Sequence, residues 1–120
     1  MNTPRAYCSA CLVKNGSTIL VFGGLKDYQM LTSIEQYDLI MEQWQELPLS
    51  MPSRIIKFGC VAINSTEIII AGGIYGDNKS EQFSYVNNCY KLDLYVNKWS
   101  ILPKMIVRRV LSCVLPYVPS

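Results

Sequence analysis

The sequence has no histidine. That absence removes Ser-His-Asp and Cys-His catalysis, the usual imidazole proton shuttle and histidine ligation of a metal. Charge is scarce as well: 17% of the 120 residues are charged, the net charge is +2 and no basic run occurs. A phosphate-tracking stripe is therefore missing, and nucleic acid is not expected as a partner. No apolar stretch reaches the ~18 residues of a membrane helix, which argues against a membrane partner. Arg5 precedes a short apolar stretch, Ala6 to Val13, that faintly resembles a signal peptide. The same register recurs internally at Arg54 to Ala62, so a repeated strand accounts for it better. The five cysteines, Cys8, Cys11, Cys60, Cys89 and Cys113, are odd in number. Without a leader peptide they predict free thiols in a reducing compartment, hence a cytoplasmic protein.

What the chain does contain is half apolar residues, an ordinary globular composition, and one structural paragraph written twice. The first copy reads Arg5, Cys11, Asn15, Gly23-Gly24, Asp38, Trp44, Leu47-Pro48. The second reads Arg54, Cys60, Asn64, Gly72-Gly73, Asp93, Trp99, Leu102-Pro103. Arg5 and Arg54 stand 49 positions apart, as do Gly23 and Gly72. A period near ~50 carrying Gly-Gly and a later Trp marks a β-propeller blade.

Each unit divides into four strands, a to d. Strand a is expected at Tyr7 to Val13 and at Ile56 to Ala62, apolar or small on both faces, as suits burial between neighbouring sheets. Asn15-Gly16 predicts a type I′ hairpin turn, and Asn64-Ser65 stands in the same place. Strand b is expected at Thr18 to Phe22 and Glu67 to Ala71, where Ile19-Leu20-Val21 aligns with Ile68-Ile69-Ile70. Both copies end in Gly-Gly, which permits positive φ and the close passage of another backbone. Strand c is expected at Ser33 to Leu39 and Val86 to Leu94. Strand d is expected at Gln43 to Leu47 and Lys98 to Leu102, each closed by a proline that cannot donate to a ladder. A third unit starts at Arg109 and breaks off after one strand. The expected domain is thus a partial propeller over 1–120, with blade 1 about 5–50, blade 2 about 54–104 and the first strand of blade 3 about 109–116.

The ordered set Gly23-Gly24, Tyr37-Asp38, Trp44, Leu47-Pro48 resembles the kelch repeat. The second copy keeps Gly72-Gly73, Asp93, Trp99 and Leu102-Pro103 but has Leu92 where the family favours Tyr, with Tyr90 two residues earlier. The resemblance implies an all-β fold of four-stranded antiparallel blades. It also implies structural roles for Arg5, Arg54, Tyr37, Trp44 and Trp99: aromatics packed between blades, and arginines supporting contacts between them. Closed propellers typically have ~4–8 blades, so further blades or self-association are expected to complete this one. The family further implies a non-catalytic protein-interaction module, sometimes a substrate receptor in a larger adaptor. The alternatives are part of a sugar-active or small-molecule-active enzyme, or an actin-associated element. The copper site of the kelch-fold oxidases needs histidines, and no cofactor or metal is expected here.

The remaining motifs read as structure. Cys8 and Cys11 form a CxxC, but residues three apart in a strand face opposite ways. Cys11 and Cys60 each stand six residues after their arginine and read as one small core position. Asp38 and Asp93 precede a hairpin, where Asp bonds to local backbone N–H groups. Asn15-Gly16-Ser17, Asn64-Ser65-Thr66 and Asn78-Lys79-Ser80 fit the glycosylation pattern, and turn chemistry accounts for the first two. The copies differ most in the b–c connection, longer by six residues in the second copy, between Ile74 and Asn88. Insertions of this kind gather on a binding face. Lys26, Asp27 and Tyr28 in the first loop, and Tyr75, Asp77, Lys79, Phe83 and Tyr85 in the second, are the candidate contacts to an unidentified protein partner.

Overall fold

Alternating apolar strands punctuated by turns assemble into two four-stranded antiparallel sheets. The structure, a computed structural model, describes residues 1–76, 83–86 and 88–103. Asp77, Lys79, the Asn78 motif, Cys113 and the expected third-unit strand at 109–116 lie outside these residues.

The first sheet has the order β1 (Ser9–Val13), β2 (Thr18–Phe22), β5 (Ser33–Asp38), β6 (Gln43–Ser50). Two short strands, β3 (Leu25–Lys26) and β4 (Gln29–Met30), form a hairpin inside its b–c connection. The second sheet has the order β8 (Gly59–Ala62), β9 (Glu67–Ala71), β12 (Cys89–Asp93), β13 (Lys98–Leu102). Its b–c connection supplies β10 (Ile74–Gly76) and β11 (Phe83–Tyr85), and β10 also pairs with β7 (Ile55–Ile56). The fold is all-β, as the repeat predicts, and both sheets are kelch-like in strand order. No helix among the described residues is long and apolar enough to cross a membrane.

Several boundaries differ from the sequence reading: the first strand a starts at Ser9 rather than Tyr7, and the second strand c runs Cys89–Asp93 rather than Val86 to Leu94. The first a–b connection is a four-residue turn, Lys14 to Ser17, rather than a two-residue hairpin; Lys14, Asn15 and Gly16 all take positive φ. The expected second strand a is split into β7 and β8, because Lys57 between them has φ of 56°. Strand d of the first unit does not stop before Pro48 but runs to Ser50. Ser33 faces Ser50 while Glu35 faces Glu46, so Leu47-Pro48-Leu49 bulges opposite Ile34. A proline in a bulge on an outer strand has no ladder bond to forfeit.

The core lies between the two sheets. One face of the first sheet presents Leu20, Phe22 and Ile34; the facing surface of the second presents Ile68, Ile70 and Leu92, and all six are completely buried. Each such side chain contributes ~1.5–3 kcal/mol of transfer free energy. The Trp99 ring meets Phe22 edge-on at 6.4 Å and Tyr90 at 6.4 Å. Its Nε1 donates to the Ser50 carbonyl at 2.8 Å, tying strand d of one blade to the end of strand d of the other. Trp99→Phe keeps the ring contact and loses that bond; a drop of about 1 kcal/mol in unfolding free energy is expected from denaturant titration. Trp44 stands at the equivalent repeat position, opposite Tyr37 as Trp99 is opposite Leu92. It packs on Tyr37, with centroids 5.0 Å apart, on the other face of the first sheet, away from the second.

The Gly-Gly pairs set the approach of the chain that enters each blade. Gly24 has φ of 99°, and a Cβ there would lie 2.5 Å from the Ala6 carbonyl; at Gly73, φ is 96° and the distance to the Ile56 carbonyl 2.7 Å. Two backbones meet where a side chain cannot fit.

Candidate functional site

One end of the two-blade body gathers the b–c connections and the d–a crossings. In blade 1, Ala6 bridges Leu25, with N–H to carbonyl bonds of 2.9 and 2.6 Å. In blade 2, Ile55 and Ile56 pair with Tyr75 and Ile74. Leu25 of β3 and the first two residues of β10 are therefore bonded to the crossing chain.

Lys26, Asp27 and Tyr28 occupy the tip of the β3–β4 hairpin. Lys26 faces Gln29, and Asp27 and Tyr28 both take left-handed φ of 51° and 65°. Two central residues at positive φ make a type I′ turn, with a twist that suits a tight hairpin. The conformation is costly for a tyrosine, and it leaves Tyr28 100% exposed. Tyr75, on β10, lines a cleft of ≈ 370 Å³ together with Thr32, Met51, Pro52, Ser53 and Arg54. Phe83 and Tyr85 have their backbones in β11, opposite Gly76 and Ile74.

The two repeat arginines do different things. The Arg5 side chain is fully buried and paired with that of Glu35, also fully buried, at 2.8 Å. It further donates to the Gly23 carbonyl (2.9 Å), the Ser33 carbonyl (3.0 Å) and Ser33 Oγ (3.0 Å). The second Glu35 oxygen accepts from the Asn2 amide at 2.7 Å. Arg54 has no such counterpart: Tyr90 occupies the repeat position of Glu35, and the Arg54 side chain is exposed on the cleft, without a hydrogen bond or ion pair among the described residues. Each of these Arg5 bonds stays within blade 1 rather than running between blades, and at Arg54 only the backbone carbonyl is bonded among the described residues, accepting from Gly76 at 3.3 Å.

The opposite end carries the a–b and c–d turns. Asp38 Oδ1 accepts from the Ile40 and Met41 amides at 2.9 and 3.0 Å, and Asp93 Oδ1 from the Tyr95 amide at 2.9 Å. Asn64 Oδ1 likewise accepts from the Thr66 and Glu67 amides. Hydrogen bonds from Asn64 and Lys91 hold the Glu67 carboxyl below its ordinary pKa. This end also exposes Ile40 (80%) and Tyr95 (86%) beside Met41 and Val96, an apolar rim the sequence reading did not single out. Its signal was present in the two c–d turns, Ile40-Met41-Glu42 and Tyr95-Val96-Asn97, as apolar residues where polar ones are usual.

No group of three His, Cys, Asp or Glu able to hold a metal ion occurs among the described residues. The arrangement offers donors and aromatic surface at a cleft, which suits recognition of another molecule's side chains. No curated protein matches the chain. Residues 4–48 match the Kelch motif, a stretch that takes in buried Arg5, the Gly23-Gly24 crossing and β1 to β6 as far as Pro48. Residues 4–48 therefore carry a kelch motif, and the second sheet repeats the same strand order.

Proposed function

We propose that this chain is a non-catalytic protein-interaction module whose contact end is the one formed by the b–c connections and the d–a crossings. The observation that carries this reading is the cleft at Arg54 and Tyr75. A guanidinium has five donors in a fixed fork and is always charged, yet Arg54 has no acceptor on its own chain among the described residues. Arg and Tyr are also the side chains that anchor protein interfaces most often. Tyr28 at its rigid hairpin tip adds a second aromatic contact at low conformational cost, since the loop is already bonded to the blade. A carboxylate-bearing segment of the partner protein fits the free guanidinium, with apolar side chains over Tyr75 and Met51.

Affinity capture from cell extract, followed by calorimetry on the purified pair, tests the assignment. Arg54→Ala and Tyr75→Ala are each expected to weaken binding by about tenfold or more, equivalent to ~1.4 kcal/mol. Tyr95→Ala, at the other end, is expected to leave it unchanged. The reverse pattern would move the contact surface to the rim of Ile40 and Tyr95 and defeat the proposal.

A further inference from the structure

Cys11 and Cys60 are equally spaced from their arginines but do not occupy the same position of the fold. Cys11 pairs with Leu20 across β1 and β2. Leu20 corresponds to Ile69 in the second repeat, and Ile69 pairs with Val61, not with Cys60. The offset arises at the crossing: Tyr7, at φ 56°, is the second residue after Arg5, whereas Lys57, at φ 56°, is the third after Arg54. Because side chains alternate along a strand, a one-residue slip turns every side chain to the other face. Cys11 therefore points with Leu20 and Phe22 toward blade 2, and Cys60 points with Ile70 toward blade 1. They face each other.

Independent contacts hold their strands together. β1 and β8 approach within 8 Å, Cα to Cα, closer than the ~10 Å between stacked sheets. Lys57 Nζ lies over the Tyr7 ring at 4.7 Å, and Ser9 Oγ donates to the Phe58 carbonyl at 2.7 Å. On the far side the Lys14 amide donates to the Ser65 carbonyl at 3.0 Å. The two cysteines sit between these ties and are hydrogen-bonded to each other. Both are partly accessible free thiols. Cys8 lies elsewhere, its Cβ against Gly24.

From this juxtaposition we infer that Cys11 and Cys60 form a reversible dithiol–disulfide site that links the inner strands of the two blades, with a low-molecular-weight disulfide as oxidant. The Cys11 thiolate attacks one sulfur of the oxidant RSSR, forming a mixed disulfide and releasing RS⁻. Cys60 then loses its proton, and its thiolate attacks the Cys11 sulfur, releasing the second RS⁻. Two protein thiols are oxidised, one RSSR is reduced to two RSH once the thiolates take up the two protons, and atoms balance. The order follows from the hydrogen bond: Cys60 donates to Cys11, which lowers the Cys11 pKa, while the same bond and burial raise that of Cys60. The lower-pKa thiol is the attacking one.

The test is oxidation of the full chain with glutathione disulfide, read by intact mass and by mapping of unreduced peptides. A Cys8→Ser background keeps the peptide assignment unambiguous. The expected product has lost two hydrogens, carries Cys11 joined to Cys60, and returns to the dithiol with reductant. Cys60→Ser is expected to trap the mixed disulfide on Cys11 instead. Glutathione retained on Cys11 in the chain with Cys60 intact, or Cys11 joined to another cysteine, would overturn the proposal. Rates of thiol alkylation in the unmutated chain give a reading independent of any folding defect: Cys11 is expected to react faster than Cys60, and the opposite order would overturn the assigned direction of attack.

Discussion

Glu35→Ala is expected to cost about 3 kcal/mol or more in unfolding free energy, the largest loss of any single substitution considered. The substitution removes little apolar contact. What it does is leave the Arg5 guanidinium fully buried with neutral acceptors only. An uncompensated buried charge carries a penalty of roughly 3–5 kcal/mol. The same change frees the Asn2 amide that Glu35 accepts from. Arg5 Nε already lacks a partner among the described residues, so the site has no spare acceptor to compensate. Chemical denaturation of Glu35→Ala, read by tryptophan fluorescence, measures the effect. The double variant Arg5→Met, Glu35→Leu is the decisive comparison: replacing both charges with apolar groups is expected to be much less damaging than removing one. A double variant as unstable as Glu35→Ala would show that the loss comes from packing and not from the stranded charge.

Gly24→Ala is expected to cost ~3 kcal/mol, from two sources. A non-glycine residue at this φ is strained by ~1–3 kcal/mol. The new methyl would also fall 2.5 Å from the Ala6 carbonyl, and backbone cannot yield as a flexible side chain can, so overpacking adds ~1–3 kcal/mol. Relief requires breaking the paired Ala6–Leu25 hydrogen bonds, which would release the β3–β4 hairpin and the Tyr28 tip from the blade. Gly16→Ala is the control. Its φ is 84°, but the nearest atom to a new Cβ is the Leu12 side chain at 3.9 Å, so the strain appears without the clash. A loss of about 1 kcal/mol is expected there, and equal losses at the two sites would show that the close backbone approach contributes nothing.

The spacing of Gly-Gly, Asp, Trp and Leu-Pro located strands b, c and d in both units, because strand b carries an aliphatic run and the turns beside these strands need particular residues, although β6 runs past Pro48 to Ser50. Asp38 and Asp93 fell in the turns for the same reason: an Asx turn needs nothing beyond its own next three residues. The role of Glu35 is not legible in the sequence. It has no repeat counterpart, since Tyr90 stands at its position, and its one sequence signal was a charge set in a strand beside Ile34. Its burial depends on Arg5, thirty residues away in the chain. The exposure of Arg54 was equally hidden, because an arginine at the same repeat spacing implied the same role.

The sequence by itself determined the repeat, the all-β fold and the position of the a–b and c–d turns, since these follow from short-range propensities and a period that can be counted. Only the tertiary structure decided which way strand a faces in each blade and what the two arginines touch. A strand alternates with period two, so one extra residue between Arg54 and Gly59 turns Cys60 toward Cys11. That residue is absorbed by pairing with β10, a contact formed between segments distant in the chain and set by packing rather than by any local preference.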